Sequence, residues 1–296
     1  MIGYPWLLRS VAAVALSAAL SPNLEAQGTM QRSRYTDAYG SREYVLYRPT
    51  SPSAAAKALV VMLHGCTQTA DDFARGTRMN EAADREGFMV LYPEQPQGNH
   101  PQKCWNWYAK EQVTRDHGEV ALLAGLVDSV ARAEGIPASR VAMVGMSAGG
   151  AMAANFAAAY PERIAALAVH SGIPALAALD LPTALKTMHE GAAESGSSAA
   201  VLEEMGARLR ALPVIAIHGA DDKVVSPVNM DRLAEQWLTV NARASQPLVP
   251  VERHLVRGVG HAWSGGASAG TYTAPTGPDA TQMIVDFLLR AGAIGH

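Results

Sequence analysis

Three widely separated points of the sequence carry residue types that together could perform acyl transfer. Gly145-Met146-Ser147-Ala148-Gly149-Gly150 follows the apolar run 141–144 and opens an alanine-rich helix pattern. In that strand–turn–helix setting, the glycines permit a strained turn that lifts the Ser147 hydroxyl above a sheet, within reach of a histidine. A serine hydroxyl is a weak nucleophile until a base takes its proton. On this kind of turn the partners follow in the chain order acid, then histidine. Asp221 and Asp222 come just after the apolar run 214–217, and His261 sits in the glycine-rich stretch 260–266. His254 falls inside a strand pattern and His296 is terminal, so His261 is the expected base. It would carry the proton from Ser147 to the leaving alkoxide, while one of the two aspartates orients its ring. The oxyanion of a tetrahedral intermediate needs donors. The backbone N–H of Ala148 is one, and His64-Gly65-Cys66-Thr67 offers the other, Cys66 first and Thr67 as the fallback. No cofactor is expected. His64, Cys66 and His218 lack the short ligand spacing of a zinc site, so no metal is expected either.

The elements that must position these groups alternate in type. Apolar runs at 59–63, 88–92, 141–144, 164–169, 214–217 and 251–259 read as strands, the first two as buried strands. Residues 42–48 partly alternate and stop at Pro49, which predicts an edge strand. Helices are predicted over 71–86, closed by Gly87, over 119–134 with Leu123, Leu126, Val127 and Val130 on the core face, over 231–241, and over 279–290 with Ala280, Ile284, Phe287 and Leu288 inward. The fold class is therefore α/β, a mostly parallel, doubly wound sheet with its ligand site outside the carboxyl ends of the strands. Each polar cluster named above lies at such an end. Two stretches depart from the alternation. Residues 94–117 form a long loop holding Cys104-Trp105-Asn106-Trp107-Tyr108, and residues 173–212 form an insertion that reads equally as a small cap over the site or as a surface excursion.

The 296 residues suffice for one α/β domain, and a net charge of −3 without a basic run argues against a nucleic-acid partner. Arg9 precedes an apolar stretch, 11–20, that is too short to span a bilayer. Residues 1–26 are thus expected to be a secretory leader and 27–296 the catalytic domain, with Ser21 as another cleavage point and no stable membrane anchor. Export to an oxidising compartment, extracellular or periplasmic, bears on the two cysteines of the chain, Cys66 and Cys104. Both lie in loops at the site end, and a disulfide between them is expected to tie the aromatic loop to the oxyanion loop. The oligomeric state is left open by the sequence.

His64-Gly65-Cys66-Thr67-Gln68, Cys104-Trp105-Asn106-Trp107, Gly145-Met146-Ser147-Ala148-Gly149-Gly150 and Gly260-His261-Ala262-Trp263-Ser264-Gly265-Gly266 occur in that order, and together they resemble the poly(3-hydroxybutyrate) depolymerase family of esterases. That family is similar to the feruloyl and acetyl-xylan esterases and has the α/β-hydrolase fold. The resemblance spans roughly residues 44–289. It implies a Ser-His-Asp esterase acting through an acyl-enzyme on hydroxybutyrate polymers or oligomers, with plant cell-wall esters as the alternative. The family's His-Gly-x-x-Asp pattern falls on His218, Gly219 and Asp222, which favours Asp222 over Asp221. Trp105, Trp107 and Trp263, with Ser171 at the end of the run 164–169, are the expected substrate contacts. The polymer-degrading members carry a linker and a separate polymer-binding domain, and this sequence shows neither, so the expectation is a preference for short, soluble esters over crystalline polymer.

Overall fold

The structure is a computed structural model, and it describes residues 1–2, 28–50, 57–193, 197–244 and 249–295. Apart from residues 1–2, the leader expectation falls on residues outside these. In chain order the elements are β1 (Thr29–Asp37), β2 (Gly40–Arg48), β3 (Leu59–Leu63), α1 (Ala70–Thr77), α2 (Met79–Glu86), β4 (Met89–Glu94), α3 (Lys110–Val113), α4 (Gly118–Glu134), β5 (Val141–Met146), α5 (Ala148–Ala159), β6 (Ala166–His170), α6 (Leu181–Glu190), α7 (Ser198–Met205), β7 (Val214–Gly219), α8 (Val228–Arg243), β8 (Val251–Val256), β9 (Trp263–Ser264), β10 (Thr273–Ala274) and α9 (Ala280–Arg290).

Eight strands form one sheet in the order β1-β2-β4-β3-β5-β6-β7-β8. From β4 to β8 every neighbour is parallel, whereas β2 joins β4, and β1 joins β2, antiparallel. Strand β3 shows why the parallel strands read as unbroken apolar runs. Its side chains alternate between faces, and both faces are covered. Leu59, Val61 and Leu63 pack into one core with α4, α5 and α8, and Val60 and Met62 into the other with α1, α2 and α9. Burial on both sides leaves no position in β3 where a polar residue would be tolerated.

Two expectations are corrected. Residues 42–48 do not form the edge, because β1 lies outside β2 in register from Thr29↔Arg48 to Asp37↔Gly40. Strand β1, Thr-Met-Gln-Arg-Ser-Arg-Tyr-Thr-Asp, is exposed or half-exposed along its whole length, so it lacks the apolar alternation by which a strand is recognised. Residues 71–86 are two helices rather than one. Arg78 between them takes the left-handed conformation at φ 56°, and its guanidinium donates to the Gly265 carbonyl and to Asp279, at 2.9 and 2.6 Å. The break turns the end of α1 toward the 265–271 loop, where Ala267 donates to the Gly76 carbonyl. A Cβ at Gly76 would lie 3.0 Å from the Thr273 side chain, so the glycine lets α1 and this loop approach closely.

The helix ends follow their sequence signals. Thr69 caps α1 by accepting from Asp72 N, and Asp279 caps α9 by accepting from Gln282 N. Gly87 and Gly135 close α2 and α4 in the left-handed conformation. Within the 173–212 insertion, α6 packs beside α8 and α7 packs against α5 and α8. Its residues Ile173, Leu185 and Met188 line the space beside Ser147, so it forms a cap beside the carboxyl ends of the strands. No helix among the described residues is long and apolar enough to cross a membrane.

Candidate active site

The loops after β5, β7 and β8 bring Ser147, Asp222 and His261 together. Ser147 caps α5 at φ 56°, ψ −124°, a strained conformation for a residue with a side chain. Its N–H donates to the His170 carbonyl at the end of β6, 2.9 Å away. The glycines of the motif are there for contact. A Cβ on Gly145 would meet the Gly149 carbonyl oxygen at 2.2 Å, and one on Gly149 would meet the Leu63 carbonyl oxygen at 2.1 Å. The strand and the helix therefore cross backbone to backbone, and only glycine fits.

His261 Nε2 lies 2.9 Å from Ser147 Oγ, and His261 Nδ1 lies 2.7 Å from Asp222 Oδ2. Asp222 Oδ1 accepts from the N–H groups of Val224 and Val225, both at 2.9 Å, which sets the rotation of the carboxylate. The buried His218 places its Nε2 3.0 Å from the Val225 carbonyl and 3.3 Å from Asp222 Oδ2. Burial opposes ionisation of Asp222. The hydrogen bonds from His218, His261 and the Val225 amide outweigh it and hold the carboxyl well below the usual range, so the group is ionised. Asp221, one residue earlier, is exposed. The geometry thus gives the partner of His261 as Asp222.

The 64–67 loop, expected to supply an oxyanion donor, abuts Ser147. A Cβ on Gly65 would be 3.5 Å from Ser147 Cβ. Among the described residues, neither the N–H of Cys66 nor that of Ala148, the latter in the first turn of α5, has a hydrogen-bond partner. The loop is held from several sides. Gly65 N donates to Gln68 Oε1 at 2.9 Å, and Gln68 Nε2 donates to the Thr271 carbonyl at 3.1 Å, tying the 64–67 loop to the loop that follows His261. Cys66 and Cys104 form the expected disulfide, with Cα atoms 4.2 Å apart, and Thr67 N donates to the Gln102 carbonyl beside it.

Two buried histidines serve as supports. His64 donates from Nδ1 to the Gly65 carbonyl and accepts from Gln95 N at Nε2. His170 accepts from Ser264 N at Nε2, and its ring stacks on Trp263 at 5.0 Å. Burial lowers His64 to about 4 and His170 to about 3, which keeps both neutral and leaves the accepting nitrogen free of a proton. Neither is placed to join a metal centre with Cys66, whose sulfur is in the disulfide. Among the described residues no group of three His, Cys, Asp or Glu is arranged to hold a metal ion.

Beside Ser147 is a cavity of about 180 Å³, lined by Cys66, Ala148 and Trp107 and, from the cap, by Ile173, Leu185 and Met188. Of the four expected substrate contacts, Trp107 is on its wall and the other three are behind it. Trp105 is fully buried and donates from Nε1 to the His64 carbonyl at 2.9 Å. Trp263 is buried with its Nε1 on Thr281 Oγ1, and Ser171 is buried with its hydroxyl against His170 Nδ1. Their polar atoms are engaged inside the protein, so they shape the site from beneath. Residues the sequence reading did not single out hold Trp105 in turn. Arg42, fully buried, lies over the Trp105 ring at 5.2 Å and pairs with Glu119 at 3.3 Å. Glu119 also accepts from Asn106 N at 2.8 Å and from Gln95 Nε2. Asn155 of α5 donates to the Trp107 carbonyl and accepts from Leu176 N of the cap. Nothing in the sequence marks these four positions as a set, since 42, 119 and 155 come from three different elements and 95 from the loop after β4.

A family model described as "Esterase PHB depolymerase" matches residues 42–246, a stretch that includes Ser147 and Asp222 and stops short of His261. The chain is 34% identical over 182 residues to poly(3-hydroxyalkanoate) depolymerase C of Paucimonas lemoignei, covering 60% of this chain and 44% of that one. It is 28% identical over 208 residues to acetylxylan esterase A of Aspergillus oryzae, covering 66% and 65%, and 36% identical over 121 residues to feruloyl esterase B of Neurospora crassa, covering 40% of each. The chain thus matches about two fifths to two thirds of the length of these relatives. Among solved structures, an acetyl xylan esterase from Aspergillus awamori superposes with a TM-score of 0.66 at 23% identity over 79% of this chain and 94% of that one. An S-formylglutathione hydrolase from Agrobacterium tumefaciens does so with a TM-score of 0.61 at 19% identity, over 93% and 99%. These likenesses identify the fold as the α/β-hydrolase fold.

Proposed function

The chain belongs to the PHB depolymerase esterase family, and from that premise we propose that it is a secreted serine esterase that cleaves oligo- or poly(3-hydroxybutyrate) and related polyesters through a Ser147-His261-Asp222 triad. The observation that carries the reading is the continuous path from Ser147 Oγ to His261 Nε2 at 2.9 Å and from His261 Nδ1 to Asp222 Oδ2 at 2.7 Å. The carboxylate oxygen accepts the Nδ1 proton, which leaves Nε2 as the acceptor facing the serine. His261 takes the proton of Ser147 as its oxygen attacks the ester carbonyl. The N–H groups of Ala148 and Cys66 receive the oxyanion. His261 then delivers the proton to the leaving alkoxide, an acyl-enzyme remains on Ser147, and water attacks it by the same route in reverse. Ionised Asp222 stabilises the imidazolium formed in each half-reaction.

The domain layout, a leader over 1–26 and a catalytic domain over 27–296, is part of the proposal. The Cys66–Cys104 disulfide supports export. The apolar cavity beside Ser147 supports a short aliphatic acyl or alkyl group, and the Paucimonas relative supports the hydroxyalkanoate. A second reading, an esterase of plant cell-wall esters, is favoured by the acetylxylan and feruloyl esterase relatives. The deciding experiment compares kcat/KM on hydroxybutyrate trimer, methyl ferulate and acetylated xylan. A preference of about tenfold or more for the trimer, about 1.4 kcal/mol in transition-state binding, supports the first reading, and the reverse preference replaces it with the second.

A further inference from the structure

The 100–108 loop contributes His100, Gln102, Cys104, Trp107 and Tyr108 to the cavity lining, and within it His100 and Tyr108 meet. His100 Nδ1 accepts the N–H groups of Gln102 and Cys104, at 3.2 and 3.4 Å. Those two bonds leave the ring proton on Nε2. Nε2 lies 3.5 Å from the Tyr108 hydroxyl, too far for a good bond. Two donors, an imidazole N–H and a phenol O–H, therefore stand side by side on the cavity wall, without a shared acceptor that fits either well. A half-buried donor pair beside the apolar residues of this cavity matches a ligand oxygen that accepts. The pair is also fixed relative to the reacting centre. The Tyr108 ring is packed edge-on against Trp107 at 5.4 Å, and His100 is bonded to Cys104 N, whose side chain is joined to Cys66 of the oxyanion loop.

We propose that His100 and Tyr108 form a subsite that binds a second acceptor oxygen of the substrate, an ester carbonyl or a carboxylate one repeat unit from the scissile bond, and so select oligoesters over simple alkyl esters. The inference rests on the proposed esterase reading and deepens it. It assigns to the aromatic loop a hydrogen-bonding task, carried out by Tyr108 and His100 rather than by its tryptophans.

The test uses two esters with the same scissile group. Methyl 3-(3-hydroxybutyryloxy)butyrate has further oxygens, and sec-butyl butyrate has none. Acid release by the full-length mature protein is followed for the wild type, Tyr108→Phe and His100→Gln, with the free-acid dimer as a third substrate to separate carbonyl from carboxylate. The expected result is that Tyr108→Phe lowers kcat/KM on the dimer about tenfold more than on sec-butyl butyrate, mainly through KM, and that His100→Gln does the same. Equal losses on the two esters, or none, overturn the proposal. A parallel measurement does not depend on turnover. In a Ser147→Ala background, calorimetry should show the dimer bound about tenfold more weakly when Tyr108 is Phe, and unchanged affinity overturns the subsite. Failure of the wild type to hydrolyse either ester counts against the proposed esterase reading, and in that case the calorimetric comparison still decides the subsite.

Discussion

Ser147 is held in a strained conformation by a helix and a strand that touch backbone to backbone, so its side chain bears chemistry and little packing. Ser147→Ala should therefore leave the fold intact and lower kcat on p-nitrophenyl butyrate by something on the order of 10⁶, as removal of the nucleophile does in serine-protease triads. Asp222 and Asp221 are chemically identical neighbours with opposite surroundings. Asp222→Asn should lower kcat by about 10⁴, because the amide no longer sets the tautomer of His261. Asp221→Asn, at an exposed position, should change it little, and the opposite ranking in the same assay would move the acid to Asp221. The sequence made Ser147 and His261 legible because the glycine spacing around each has a steric cause. It left Asp221 and Asp222 equal until a family pattern separated them, since what distinguishes them is burial and the two amides of Val224 and Val225. Arg42, Gln95 and Glu119 were illegible for the same kind of reason. Each is an isolated polar residue, and only the fold makes them a cluster.

At the scale of elements, the parallel strands and the capped helices were legible because double-sided burial and end signals leave direct traces in composition. Strand β1 leaves no such trace, and the break at Arg78 depends on a guanidinium reaching Gly265 and Asp279, partners far along the chain. The aromatic loop is the element whose position depends most on such distant partners. Glu119→Ala would leave Arg42 buried without its counter-charge. It should destabilise the protein by about 3–5 kcal/mol in chemical denaturation, and should lower kcat/KM as the Trp105 segment loosens beneath His64. A loss below 1 kcal/mol would mean that the pair does not organise this loop. Breaking the disulfide with Cys104→Ala should cost about 2–4 kcal/mol of stability for a loop whose ends are 38 residues apart. Thermal denaturation of the variant against the non-reduced wild type checks this.

For the molecule as a whole, the two buried neutral histidines predict an acid limit. The ordinary imidazole titrates near ~6.5, whereas His64 and His170 are held at about 4 and about 3 in the folded state. Between those values the unfolded chain binds protons that the folded chain refuses, so stability is full above pH ~6.5 and falls as the pH drops toward 4. Each histidine contributes a slope approaching about 1.4 kcal/mol per pH unit. Asp222 works in the same direction at still lower pH, because its folded carboxyl stays ionised where the unfolded one has been neutralised. Urea midpoints at pH 7.5, 6 and 5 should decline in that order, and a flat series would contradict the burial of neutral rings at these positions.

Helix α6 of the cap does not end freely. The Met188 carbonyl accepts from Ser226 N at 2.7 Å, next to the turn whose amides clasp Asp222, and the Thr187 carbonyl accepts from Asn229 Nδ2 of α8 at 2.8 Å. A molecule wedged under the cap must then pull on that turn, and the turn must pull on the carboxylate. The proton shared by His261 and Asp222 should behave as a reporter of cap occupancy. In a one-dimensional proton spectrum its low-field resonance should move when an inert ester analogue fills the cavity, and should hold its place when the same analogue is added after Leu185→Trp has closed the space.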